Sequence, residues 1–231
     1  MILLIVMDKF MYCIKKTCIF LLFLLFFSCK INSCKIFKIV LTGGPCAGKT
    51  KSLNFIKEKF ENEGKKVFVI NETATELMSE GFDFNSNSTL DIQKSIFERQ
   101  YKKEENLIAK AKSNNDDSDV FIICDRGLLD GQAYMEETEY VKMIQEYGFS
   151  KDDLLKRYDL IIYLQSVSVN MPQLFENKSN IFRKSNINQA KIFDEKVKNI
   201  WKYHPNFLEI LAFEKFEDKL EKLILNLKKF I

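Results

Sequence analysis

Residues 43–50 read Gly-Gly-Pro-Cys-Ala-Gly-Lys-Thr, a spacing that satisfies G-x-x-x-x-G-K-[ST]. These residue types suit the holding of a polyanion, the alternative being a glycine-rich turn with no ligand. Gly43, Gly44 and Gly48 let the backbone turn successive N–H groups inward on a phosphate, and a helix starting behind them adds positive potential. Pro45, Cys46 and Ala47 complete the loop, Lys49 reaches the β/γ-phosphates, and the Thr50 hydroxyl is a ligand for Mg²⁺. Further chemistry follows two apolar runs. Glu72 comes after residues 67–70, and Asp125 with Arg126 comes after residues 120–124. Asp125 reads as the acid that holds the metal, the alternative being a cap on the following turn. Arg126 either binds phosphate or substrate bidentately or pairs with an acidic side chain. Glu72 is either a general base for an acceptor hydroxyl or the partner of a lysine. Arg183, in a polar stretch, either neutralises a transferring phosphoryl group from a lid or is an ordinary solvated arginine. His204 is the only histidine and sits beside Pro205, so it reads as a packing or helix-end residue, with no triad or metal cluster around it.

Those residues need a scaffold that gathers them, and the hydrophobic pattern supplies one. Apolar runs at 36–41, 67–70, 120–124 and 160–164 are strands, and the all-apolar ones at 67–70 and 120–124 bear the mark of a strand covered on both faces. Helical spacing separates them: 51–62, with Leu53, Ile56 and Phe60 on one face; a short helix to Met78, closed by Gly81; a long one from a Ser88 or Thr89 cap to about 112; 138–147; and a capping box at Ser150 and Asp153. Residues 82–88, 113–119 and 171–188 are polar. A helix over 189–203, a last strand over 208–213 and an amphipathic helix over 215–231 complete the chain. The expected fold is α/β: a parallel sheet wrapped on both sides, with ligands at the carboxyl ends of its strands.

Residues 1–35 differ in kind and are read as a hydrophobic leader or anchor, with 36–231 the folded domain. Residues 17–28 form a continuous apolar run, where a membrane-spanning helix needs about 20 residues. The run is either a targeting or membrane-associating segment or the product of a start placed too early, Met7 and Met11 being later initiators. The leader carries five lysines against Asp8, or +4, so the net of +3 leaves about −1 for the rest. That excludes the basic stripe of a nucleic-acid binder. Only Cys46 and Cys124 fall in the folded part, which is no disulfide framework. Sequons at Asn71, Asn87 and Asn177, the first close to the expected site, argue for a cytosol-facing or organelle-stromal domain.

Four stretches together resemble one family: Leu-Thr-Gly-Gly-Pro-Cys-Ala-Gly-Lys-Thr at 41–50; Gln93 with Gln100 and Glu104; Cys-Asp-Arg-Gly-Leu-Leu-Asp-Gly-Gln-Ala-Tyr-Met at 124–135; and Trp201 with His204-Pro205. The chain is similar there to the AAA-type P-loop domain shared by the bacterial NAD regulator's ribosylnicotinamide kinase and the eukaryotic TRPL translocation defect protein. The resemblance implies a nucleoside-kinase-like sheet of five parallel strands ordered 2-3-1-4-5, and binding of ATP or GTP with Mg²⁺. It also implies a second-substrate pocket faced by Gln93, Gln100 and Glu104, an Asp125–Arg126 pair of the small-molecule-kinase type, and a lid arginine at Arg183. The branch that the Cys-Asp-Arg-Gly run looks closest to is thought of as a GTP- and phosphoinositide-binding trafficking factor. Two departures follow. Leu-Ala-Phe-Glu at 211–214 replaces the Asp-Asn the family tends to show before its terminal helix, and no second, lipid-binding-type domain follows, so phosphoinositide binding is not carried over. The expected activity is phosphoryl transfer to a small molecule, or NTP hydrolysis. The alternatives are a GTP-binding switch or trafficking module without an acceptor, and nucleotide held only as scaffolding. A small-GTPase identity is disfavoured because the Asn-Lys-x-Asp guanine signature is absent.

Overall fold

The computed structural model describes residues 35–113, 118–175 and 186–230. The leader at 17–28, Arg183 and the Asn177 sequon lie outside the described residues. The described chain runs β1 (Ile36–Thr42), α1 (Lys49–Asn62), β2 (Lys66–Ile70), α2 (Thr73–Ser79), α3 (Thr89–Ser113), β3 (Val120–Asp125), a 3₁₀ turn (Leu128–Tyr134), α4 (Glu137–Glu146), α5 (Lys151–Lys156), β4 (Leu160–Leu164), α6 (Val167–Asn170), a second 3₁₀ turn (Pro172–Leu174), α7 (Ile187–Trp201), β5 (Phe207–Ile210) and α8 (Phe216–Phe230).

The five strands form one parallel sheet in the order β2-β3-β1-β4-β5, as expected. Alternation along each strand divides the core. Val40, Ile122, Cys124 and Ile161 face one layer with Phe97, Tyr140, Met143 and Trp201. Ile39, Leu41, Phe121, Ile123 and Ile162 face the other with Leu53, Ile56, Phe60, Leu223 and Leu227. Each such side chain contributes about 1.5–3 kcal/mol by leaving water, which is why β3 and β4 are buried along their whole length.

Several boundaries move for local reasons. The last strand stops at Ile210, short of the expected 213, because Leu211 is exposed and the Ala212 N–H turns away to donate to Gln165 Oε1. Helix α7 starts at Ile187, two residues early, because Asn186 and Gln189 form a capping box, and it ends at Trp201 rather than 203. The ring of His204 accepts from the Asn206 N–H and bonds the Tyr158 carbonyl, the packing role expected of it.

Candidate functional site

The register fixes where the chemistry converges: Leu41 of β1 lies opposite Asp125 of β3, so the acid stands level with the start of the glycine loop. Gly43 and Gly48 have φ of 141° and 83°, values that disfavour any side chain, and a Cβ on Gly43 would lie 2.1 Å from the Leu164 carbonyl oxygen. Gly48 is the N-cap of α1, so the loop feeds straight into a helix N-terminus. Cys46, at φ 57°, accepts the left-handed conformation without being glycine. The Lys49 ammonium lies against the loop, donating to the carbonyls of Gly43 at 3.0 Å and Gly44 at 2.9 Å.

Beside the loop, Arg126 also holds a left-handed backbone, φ 76°, fixed by its N–H donating to the Leu41 carbonyl at 3.0 Å. Such strain costs about 1–3 kcal/mol and concentrates at functional positions. Its Nε donates to Glu72 Oε1 at 2.8 Å, and one Nη reaches the Gly43 carbonyl at 3.4 Å, with Asp130 at 3.8 Å. The structural alternative read for Glu72 therefore has a partner, but it is Arg126 rather than a lysine. Burial opposes the guanidinium charge, yet Tyr134, Glu72 and Asp130 outweigh it and hold the group above its ordinary range. Burial likewise raises the Asp125 carboxyl, with Lys49 opposing. Two polar atoms of this pair are left over: Asp125 Oδ1 and Arg126 Nη2 are buried with no hydrogen-bond partner among the described residues. Each orphan costs about 1–3 kcal/mol, so a ligand that satisfies both recovers stability the fold forgoes.

The same groups form one end of a cavity of about 260 Å³ whose walls are mainly apolar, among them Ile92, Ile96, Phe97, Leu128 and Tyr140. Gln93 and Gln100 of α3 both line it. Their roles differ. Gln100 is committed to the protein, accepting from the Thr73 hydroxyl at 2.6 Å and donating to Glu104 at 3.2 Å. Glu104 does not line the cavity. It is fully buried behind it, paired with Lys38 at 3.0 Å and Arg157 at 3.0 Å, and accepts from the Tyr158 hydroxyl at 2.8 Å. The resemblance places Glu104 at the substrate pocket; its partners in the structure are Lys38 of β1 and Arg157 instead.

Three residues at the site were not singled out from sequence. Asp130 accepts from the Thr42 hydroxyl at 2.5 Å and the Gly127 N–H at 2.7 Å, which pins the turn carrying Arg126. Asp194 and Lys219 bond the glycine loop itself. A signal existed for Asp194: Ala190, Val197 and Trp201 make α7's buried stripe, and Asp194 is the charged residue within it.

Residues fit for Mg²⁺ are Thr50 and Asp125, whose hydroxyl and Oδ2 lie 3.4 Å apart, with the unpartnered Oδ1 beside them. One carboxylate, one hydroxyl and phosphate oxygens suit a cation that keeps part of its water shell. Among the described residues, no cluster of three or more His, Cys, Asp or Glu side chains offers an all-protein metal cage, and no helix is long and apolar enough to cross a membrane.

Known proteins fit this geometry. A family described as AAA domain matches residues 38–219. The GTPase Obg of Lachnoclostridium phytofermentans is 25% identical over 130 residues, 48% of this chain and 30% of that protein, so the chain spans less than a third of that curated relative. Thymidylate kinase from Ehrlichia chaffeensis superposes with a TM-score of 0.57 at 13% identity, over 84% of this chain and 99% of that one. The fold is thus that of a kinase-like P-loop nucleotide-binding protein.

Proposed function

The chain belongs to the AAA domain family, and on that premise we propose a Mg²⁺-dependent phosphotransferase acting on a small molecule, with ATP or GTP as donor. The observation that carries this reading is the cavity: a walled space of about 260 Å³ opening onto Asp125, Arg126 and Glu72 next to the glycine loop, which nucleotide hydrolysis alone does not require. When bound, the Mg²⁺–nucleotide supplies the phosphoryl group and shields its charge. The protein's part is positioning and electrostatics. Loop amides and Lys49 hold the β/γ-phosphates, and Thr50 and Asp125 hold the metal. Arg126 meets charge on the transferred group with its unpartnered Nη2, while its Nε bond to Glu72 fixes the guanidinium at the cavity wall and leaves Glu72 Oε2, which accepts from Thr75, near the acceptor. Glu72 takes the acceptor's proton, Gln93 orients the acceptor, and Arg183 adds charge from its polar segment.

The likeness to the ribosylnicotinamide kinase domain makes a nucleoside-type acceptor the first to try. The likeness to GTPase Obg favours a second reading, a GTP-hydrolysing switch like that of the trafficking branch. Purified protein with Mg²⁺-ATP or Mg²⁺-GTP and a nucleoside panel including nicotinamide riboside separates them. Acceptor-dependent product is expected; hydrolysis unchanged by every acceptor supports the switch instead.

A further inference from the structure

The glycine loop is fastened by side chains from far along the chain. Asp194 of α7, 1% exposed, accepts at Oδ1 from the Gly44 N–H at 2.6 Å and the Ser166 N–H at 3.3 Å, and at Oδ2 from the Tyr163 hydroxyl. The Ser166 hydroxyl donates to the Pro45 carbonyl, and the Lys219 ammonium of α8 donates to the carbonyls of Ala47 at 2.9 Å and Gln165 at 2.7 Å. Gly44, Pro45 and Ala47 therefore each have a backbone group tied to the segment beyond β4.

Gly44 explains how close this is. Its position is unrestricted in the phosphate-loop pattern, and its φ is not among the left-handed values, so its backbone does not demand glycine. Space does: a Cβ there would lie 2.6 Å from Asp194 Oδ1 and 2.7 Å from Asp194 Cβ. Gly44 and Asp194 are a matched pair. A buried carboxylate is costly unless its oxygens are hydrogen-bonded, and all three of its donors here are supplied by the loop and the end of β4. The neighbouring residue, Phe193, lies under the Arg126 guanidinium at 5.6 Å, so one turn of α7 touches both the loop and the arginine.

Resting on the nucleotide-binding reading above, we propose that Asp194 is a positioning residue: through the Gly44 N–H it holds the loop in the shape that grips a β-phosphate. Without that bond the loop must be ordered by the ligand, and affinity falls by the free energy this takes. The loss is independent of the base, because the bond acts on the phosphate cradle.

The test titrates the full chain and its Asp194→Leu, Asp194→Asn and Gly44→Ala variants with Mg²⁺-ATP, Mg²⁺-GTP and Mg²⁺-tripolyphosphate, beside a thermal melt of each ligand-free protein. Asp194→Leu and Gly44→Ala are expected to bind whichever of these wild type binds at least about tenfold more weakly, tripolyphosphate included. Asp194→Asn keeps the acceptor oxygen for Gly44 and stays within about threefold of wild type. Cooperatively melting Asp194→Leu or Gly44→Ala protein that binds within twofold of wild type overturns the proposal. So does Asp194→Asn as weak as Asp194→Leu, because the bond to Gly44 is then not what was lost. Wild type that binds none of the three probes removes the nucleotide reading and this inference together; wild-type binding with unaffected variants removes the inference alone.

Discussion

Two sets of polar groups meet the glycine loop, and they are finished to different degrees. Asp194, Ser166 and Lys219 place their oxygens and ammonium on Gly44, Pro45 and Ala47, and none of their atoms is left as a buried orphan. Asp125 and Arg126, which line the cavity, each retain one buried polar atom without a partner among the described residues. The first set is complete in the protein alone, as a support should be. The second leaves one acceptor and one donor to be satisfied, as the proposed site for phosphoryl transfer requires.

The largest expected effects on function come from the lysine on the loop itself and then from the open set. Lys49→Ala removes the ammonium proposed to meet the β/γ-phosphates and is expected to abolish measurable nucleotide binding by calorimetry; undiminished binding would locate the nucleotide elsewhere. Arg126→Ala is expected to lower turnover by about 10²–10³ while triphosphate affinity changes less than threefold, because its charge acts on the group in transit. Equal losses in affinity and turnover would make Arg126 part of the support instead.

The next comparison is with the buried cluster behind the cavity. Glu104→Ala strands Lys38, leaves Arg157 only its pair with the exposed Glu105 at 2.8 Å, and is expected to cost roughly 3–5 kcal/mol in denaturant unfolding. At temperatures where the variant is folded, its choice of ligand stays that of wild type; altered acceptor preference would return Glu104 to the pocket.

The smallest effect concerns Lys219, which burial pulls down to about 8, with Asp194 opposing and Lys49 reinforcing the drop. A depressed folded value means the unfolded chain binds more protons between about pH 8 and pH 10.5. Lys219 therefore adds stability that is full above pH 10.5 and lost as pH falls through about 8. Stability measured from pH 8 to 10 should rise more steeply in wild type than in Lys219→Met, and parallel profiles would contradict this.

β3 and β4 were legible because burial on both faces leaves an all-apolar run, as at Val120 to Cys124, that little else in a sequence produces. The glycine loop was legible because its backbone demands glycine at Gly43 and Gly48. The 3₁₀ turn Leu128–Tyr134 was not, because no periodicity makes it. It is held by Asp130, by the Tyr158 hydroxyl accepting from the Leu128 N–H, and by the Tyr140 hydroxyl donating to the Leu128 carbonyl. Glu72 shows the limit at the site: its place after β2 marks it as available, but its pairing with Arg126 depends on β2 lying next to β3. Glu104 and Gln100 share a helix face, and only the sheet beneath separates a structural acid from a cavity wall.

The most direct test follows labelled γ-phosphate from Mg²⁺-ATP and Mg²⁺-GTP onto a panel of nucleoside acceptors, with wild type and Lys49→Ala side by side. Label on at least one acceptor, made by wild type and absent with Lys49→Ala, is the predicted result. Label released only to water, at a rate no acceptor alters, would contradict the phosphotransferase assignment.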